Sequence, residues 1–239
     1  KGIDAAALGI RGFMLGGEPG GGIPHIRQKI EDAFGATVQE CMGNGDMLGL
    51  MWAECEHKNG MHFIGQGIVH PEVIDPETGK VLEIKEGLTG ELVYTSLNRE
   101  SKPLIRFRTR DHILVTQTSC DCGRTGFCVK CIGRTDDMLI VSGVNVYPSA
   151  IRDVVGTLLP RVTGEILIQL QEPPPSATPP LKIQVEHGDN PGDLTVLKRD
   201  IEKSVREKLI FGSSVELVPP GTLPKFEYKA KLVEHAYKQ

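Results

Sequence analysis

Four cysteines, Cys120, Cys122, Cys128 and Cys131, crowd into twelve positions, and a fifth lies in Glu54-Cys55-Glu56-His57-Lys58-Asn59-Gly60-Met61-His62 beside two histidines. Thiolates and imidazoles at close spacing are the donors of structural zinc, whose commonest signatures set one close pair of ligands against another. Cys-x-Cys followed by Cys-x-x-Cys makes one such set. Ligands drawn from both segments make a second, because adjacent hairpins converge in space. A third reading needs no metal, since reduced cysteine is commonly buried as a small hydrophobe. The residues alone leave all three open, although Cys128 and Cys131, three apart on an expected strand, should face opposite sides.

Other chemistry-bearing residues are quieter. Asp111 closes the run Arg108-Thr109-Arg110-Asp111 and, taken alone, reads as a surface aspartate pairing with Arg108 or Arg110. Asp46 sits in the turn Met42-Gly43-Asn44-Gly45-Asp46. Lys225, Lys229 and Lys231 lie in a polar segment where lysines ordinarily only solvate. The run Phe13-Met14-Leu15-Gly16-Gly17-Glu18-Pro19 ends in glycines, which let a backbone approach a ligand closely but most often mark a plain loop.

These residues need elements to hold them. An apolar strand near 13–15 leads through the glycine turn into helical spacing over 23–34, with Gly35 as its stop. A short strand over 37–41 follows. From 54 to 93, apolar runs alternate with turn signals such as Asn59-Gly60 and 75–79, the pattern of an antiparallel sheet or barrel, which 91–95 and 104–108 continue. Asp111 is expected at the end of a strand, and Cys120-Asp121-Cys122-Gly123 in a hairpin turn. The stretch 133–149 reads as a polar turn, an apolar strand ending at Gly143, and a helix starting near Pro148. A compact α+β pattern then runs to the end, with helices over 149–159 and 194–209 and strands over 164–170, 182–186 and 214–218. The proline-rich 173–180 is a stiff connection.

Composition adds bounds. With 239 residues, 39% hydrophobic and 24% charged, the chain is ordinary for a globular protein of one large or two smaller domains. A formal charge of -4 argues against nucleic acid, and no run approaches the roughly 18 apolar residues of a membrane span. It opens on Lys1 without signal-peptide features, so it is expected to be a fragment, to work in the cytoplasm and to keep its six cysteines reduced or metal-bound.

Three segments together carry a resemblance: Arg106-Phe107-Arg108-Thr109-Arg110-Asp111, the run from Gly133-Arg134-Thr135-Asp136-Asp137 to Val146-Tyr147-Pro148-Ser149, and Leu223-Pro224-Lys225-Phe226-Glu227-Tyr228-Lys229. They resemble adenylate-forming acyl-CoA ligases, in particular phenylacetate-CoA ligases, over nearly the whole chain and roughly the second half of a typical ligase. The resemblance implies an α+β fold. Residues 1–133 would be the end of the large adenylating domain, an α/β segment plus an antiparallel β-barrel subdomain; 134–137 the hinge; and 138–239 the small mobile C-terminal domain. The phosphate loop and most of the acyl pocket would precede Lys1.

It also implies roles. Gly16, Gly17, Glu18 and Pro19 would pack along adenine, Gly43 belongs to the phosphate-side motif, and Asp46 would assist magnesium. Asp111 would accept both ribose hydroxyls, which suits a carboxylate's two oxygens, with Arg134 near ribose and phosphate. Asp136 would be the pivot and Lys229 the adenylating lysine, its charge stabilising the acyl phosphate as pyrophosphate leaves. Met42, Gly45, Ser142 and Tyr228 depart from the family pattern. Relatives with a Cys-x-Cys-Gly-Arg turn favour Cys55, His62, Cys120 and Cys122 as the zinc set. The expected activity is ATP-dependent, AMP-forming ligation of a carboxylic acid, phenylacetate or another aromatic acid being the example, to coenzyme A, with ATP, Mg2+ and structural zinc as cofactors. Partners would be small molecules, with neither nucleic acid nor membrane, and a homodimer as a possible assembly. The alternatives are an adenylating enzyme with another acyl acceptor and a non-catalytic ligase-like module.

Overall fold

The computed structural model describes residues 4–17, 21–224 and 232–238. The chain divides into two compact units, Lys1–Thr135 and Asp136–Gln239. Sheets dominate both and helices are few, an α+β arrangement. Among the described residues no helix is long and apolar enough to cross a membrane.

The first unit is built on β1 (Gly12–Leu15), α1 (Pro24–Phe34), β2 (Thr37–Asn44), β3 (Leu48–Glu54), β4 (Met61–Phe63), β5 (Val69–Ile74), β6 (Thr89–Ser96), β7 (Phe107–Gln117) and β8 (Cys128–Arg134). Proline at the first helical position starts α1, where its missing N–H costs nothing, and Gly35 at φ 62° ends it. Because α1 crosses over, β1 and β2 pair in parallel; every other neighbour in this sheet is antiparallel. The strands form one eight-stranded sheet in the order β1-β2-β3-β4-β8-β7-β6-β5. β8 therefore lies between β4 and β7, which brings residues about sixty apart in sequence side by side. The core gathers Met51, Trp52, Met61, Leu92, Tyr94, Ile113 and Val129, and Trp52 Nε1 donates to Tyr94 Oη at 2.7 Å, so the two buried polar atoms satisfy each other.

Asp111 does not end a strand. β7 runs on to Gln117 because Ile113 and Val115 continue the buried alternation of Thr109, leaving Asp111 in mid-strand, paired in register with Arg134.

The second unit holds β9 (Leu139–Val141), β10 (Val144–Val146), α2 (Pro148–Gly156), β11 (Val162–Leu170), β12 (Ser176–Ala177), β13 (Leu181–His187), α3 (Leu194–Leu209), β14 (Ser213–Val218) and β15 (Val233–His235). They form a three-stranded sheet, β10-β9-β12, and a four-stranded one, β14-β13-β11-β15. Their apolar faces meet α2 and α3 in a core containing Val141, Ile151, Val155, Ile168, Ile183, Leu197 and Ile201. The single strand expected before Pro148 is a two-stranded hairpin instead. Ser142 at φ 53° and Gly143 at φ 78° are both left-handed, the requirement of a two-residue turn whose twist matches its strands.

Candidate metal cluster and nucleotide-side residues

Cys55 follows the last residue of β3, His62 is the central residue of β4, and Cys120 and Cys122 lie in the β7–β8 connection. Their Sγ and imidazole nitrogen atoms all lie within 4.8 Å of one another. Cys55 Sγ is 3.8 Å from Cys120 Sγ, and Cys122 Sγ is 3.4 Å from His62 Nε2. Sulfur ligands at about 2.3 Å from a tetrahedral zinc stand about 3.8 Å apart, and sulfur and nitrogen about 3.5 Å apart, so the donor set fits that ion in number, type and spacing. Burial pushes the Cys55 thiol up to about 11, while the Cys122 backbone N–H, ahead of other donors, holds Cys120 below the usual thiol range. Burial, with Arg124 nearby, also lowers His62, which keeps its imidazole in the neutral form a ligand needs.

The remaining two cysteines of the cluster part company. Cys128 Sγ packs 3.4 Å from His62 Nδ1, beside the four donors. Cys131 turns the other way, donating to Gly133 O; burial, then the neighbouring charge of Asp111, pushes it up to about 12.

At the far end of β8, Arg134 Nη1 stands 3.5 Å from Asp111 Oδ1 across the strand pair. Neither Arg108 nor Arg110 is the partner of Asp111 in this pair. Arg108 instead grips Glu91 through two bonds, Nε to Oε1 at 2.9 Å and Nη2 to Oε2 at 2.6 Å. Burial opposes ionisation of Glu91, but the Arg108 bonds, the charges of Arg108 and Arg110 and the Thr135 hydroxyl outweigh it and hold the carboxyl below the usual range. Asp111 N–H bonds Thr109 Oγ1 at 3.0 Å, whose hydroxyl donates to Leu92 O, so the aspartate's backbone is tied to β6 as well.

Gly16 and Gly17 are held to glycine by different means. A Cβ on Gly16 would meet Cys41 O at 2.6 Å, and Gly17 holds φ 91°. Glu18 and Pro19 lie outside the described residues, as does Lys229. Beyond the turn, Arg27 Nε donates to Gly21 O at 2.5 Å while its Nη2 reaches the buried Glu54, whose Oε2 also accepts from Glu40 N–H at 2.8 Å. Gly43 lies in β2 at a register shift opposite β3. Asp46 is exposed in the β2–β3 turn, where Lys102 Nζ binds Oδ1 at 2.7 Å and Arg99 donates to the carbonyls of Asp46 and Met47. The Lys102 ammonium holds the Asp46 carboxyl below the carboxylate range. Asp136, exposed, is the first residue of the second unit.

Sequence reasoning passes over Glu91, Thr135, Arg99 and Lys102. A signal existed for the first: a lone acid set in the run Leu92-Val93-Tyr94 is a buried charge that must be paired.

Residues 143–236 match the family described as the AMP-binding enzyme C-terminal domain. The chain is 31% identical to a phenylacetate-coenzyme A ligase of Thermus thermophilus, over 95% of this chain and 54% of that protein. It is 32% identical to the phenylacetate-coenzyme A ligase of Pseudomonas putida, over 96% and 52%. Its structure is similar to that of 2-hydroxyisobutyryl-CoA ligase in the postadenylation state in complex with R3-HIB-AMP, with TM-score 0.86 and 30% identity, over 99% of this chain and 50% of that one. The chain spans about half the length of these relatives. The sequence is thus similar to these relatives along nearly the whole chain, and the chain is phenylacetate-CoA ligase-like in sequence and adenylate-forming-ligase-like in fold.

Proposed function

We propose that this chain is part of an AMP-forming acyl- or aryl-CoA ligase. A carboxylate oxygen of the acid attacks the α-phosphorus of ATP and the bond to pyrophosphate breaks. The coenzyme A sulfur, losing its proton, then attacks the carbonyl of the acyl-adenylate and AMP departs. An aromatic acid such as phenylacetate is the substrate class the curated relatives' names suggest. The observation that carries the reading is the cross-strand pair of Asp111 and Arg134, directly before the unit that holds the AMP-binding C-terminal domain. In this reading Asp111 accepts the ribose hydroxyls, Arg134 neutralises it and faces the phosphate, and the 16–19 turn flanks adenine. Asp136 is the pivot of a 134–137 hinge between adenylating and mobile domains.

Lys229 stabilises the charge that develops as pyrophosphate leaves, a compact ammonium being suited to that work. Asp46, paired with Lys102 in this structure, would offer magnesium an oxygen beside those of the substrate phosphates. Cys55, His62, Cys120 and Cys122 would hold a zinc whose work is structural, fastening two hairpins. Thiols of this kind stay reduced in the cytoplasm, where we place the protein.

Lys229→Ala in the full-length protein tests the assignment. Pyrophosphate exchange should fall about 100- to 1000-fold while thioester formation from supplied acyl-adenylate survives. Equal loss of both half-reactions would refute it. A second reading, a ligase-like module that binds nucleotide without turnover, is favoured by one observation: Asp46 is already engaged by Lys102, next to Gly45, which has no hydroxyl. ATP binding without exchange for any acid of a broad panel would select it.

A further inference from the structure

The carboxylate of Glu91 is completely buried, on β6 in register with His112 of β7. It collects four donors. Two come from Arg108, at 2.9 and 2.6 Å. A third is the backbone N–H of Arg110, at 3.3 Å to Oε1, and the fourth is the hydroxyl of Thr135, at 3.2 Å to Oε2. Arg110 is the residue before Asp111 and Thr135 the residue after Arg134. Those two are joined directly as well, Thr135 N–H to Arg110 O at 2.8 Å. One buried anion therefore grips the backbone on one side of the Asp111–Arg134 pair and the side chain on the other.

Arg110 sharpens the point. It sits at φ 68°, a left-handed conformation that costs a non-glycine residue free energy, and its N–H is turned toward Glu91 there. The turn at Arg110 lets β7 present Asp111 against Arg134 although the ladder between β6 and β7 shifts register at Glu91 and Val93. A neutral or misplaced residue 91 would free Arg110 to relax toward ordinary strand geometry, and the aspartate next to it would turn with the chain.

We infer that Glu91 is a positioning residue, which sets the orientation of Asp111 and Arg134 through Arg110 and Thr135 without touching the ligand itself. The inference rests on the ribose reading of Asp111 given above. Its consequence is a loss of discrimination beyond any loss of stability: ribose hydroxyls are recognised only if the aspartate is aimed, so mispositioning should reduce the preference for AMP over 2′,3′-dideoxy-AMP.

The experiment is calorimetric titration of the full-length protein with both nucleotides. Asp111→Ala should bring the two affinities together. Glu91→Gln should cut the wild-type preference about tenfold and Thr135→Val about threefold, within the net value of a single hydrogen bond, with Thr135→Ser restoring it. Thr135→Val removes one hydroxyl without burying charge, so it decides the matter if Glu91→Gln does not fold. Preference retained by Thr135→Val, and by Glu91→Gln where it folds, while Asp111→Ala abolishes it, overturns this inference alone. Preference retained by Asp111→Ala overturns the ribose reading and this inference with it.

Discussion

Strand β8 begins in one site and ends in another, and the two are built on different physics. At its start Cys128 lies against His62, beside four soft donors that come from the end of β3, from β4 and from the β7–β8 connection. At its end Arg134 faces Asp111, within a lattice of charges on β6 and β7 that satisfy one another. The donor cluster is joined by weak thiol contacts, Cys55 to Cys120 and Cys122 to His62. The charged site pairs its own anions, and the buried Glu91 carboxylate has four donors. On the proposed reading the first region would serve as a staple and the second as a template.

Removing metal should break this contrast most strongly. Purified protein is expected to carry about one zinc per chain, and stripping it should cost about 4 kcal/mol of stability if the site holds the ion a thousandfold below working concentration. Metal analysis with thermal unfolding measures both. Zinc should be lost from Cys55→Ser and His62→Ala but kept by Cys128→Ala and Cys131→Ala, and the reverse pattern would sink the ligand choice. At the template, Asp111→Ala should weaken AMP about 100-fold, near 3 kcal/mol, while leaving the zinc content and melting temperature close to wild type.

A smaller effect separates the regions by pH. Because the folded Glu91 carboxyl sits below its ordinary value of 4.5, its contribution is complete above that value and disappears as pH falls through the depressed one. Glu91→Gln should therefore cost about 2 kcal/mol near neutrality, the scale of a hydrogen bond to a charged group, and flatten the acid limb of the stability curve, as denaturant titrations at several pH values would reveal. An acid limb unchanged by the substitution would count against the buried-anion account. The smallest prediction lies in the second unit. Ile210 ends α3 in the left-handed conformation, φ 64°, and is mostly exposed, so Ile210→Gly should raise stability by about 1 kcal/mol in the same assay.

Much of this was legible in the residues. Pro24 and Gly35 bracket α1, and the spacing over 194–209 coincides with α3, because helix boundaries and amphipathic faces are written locally. Ser142-Gly143 was harder. Only glycine advertises a positive φ, and the serine before it hides the second half of a hairpin turn. β15 escaped notice because three residues with no alternation of their own become a strand only by pairing with β11. Charges at 108–111 read as a strand terminus, whereas β6 and β8 on either side supply the partners that carry β7 onward.

By itself the sequence determined which residue types were on hand: thiols and imidazoles at close spacing, an aspartate after a basic run, glycines where a backbone must turn. These are properties of short segments, and short segments fold by local rules. Only the tertiary structure decided the pairings. Whether Cys120 meets Cys55 or Cys131, and whether Asp111 meets Arg134 or Arg110, depends on which strand lies beside which. That order is set by burying Trp52, Tyr94, Ile113 and Val129 in one core, a contest among distant segments that no single stretch of the chain records.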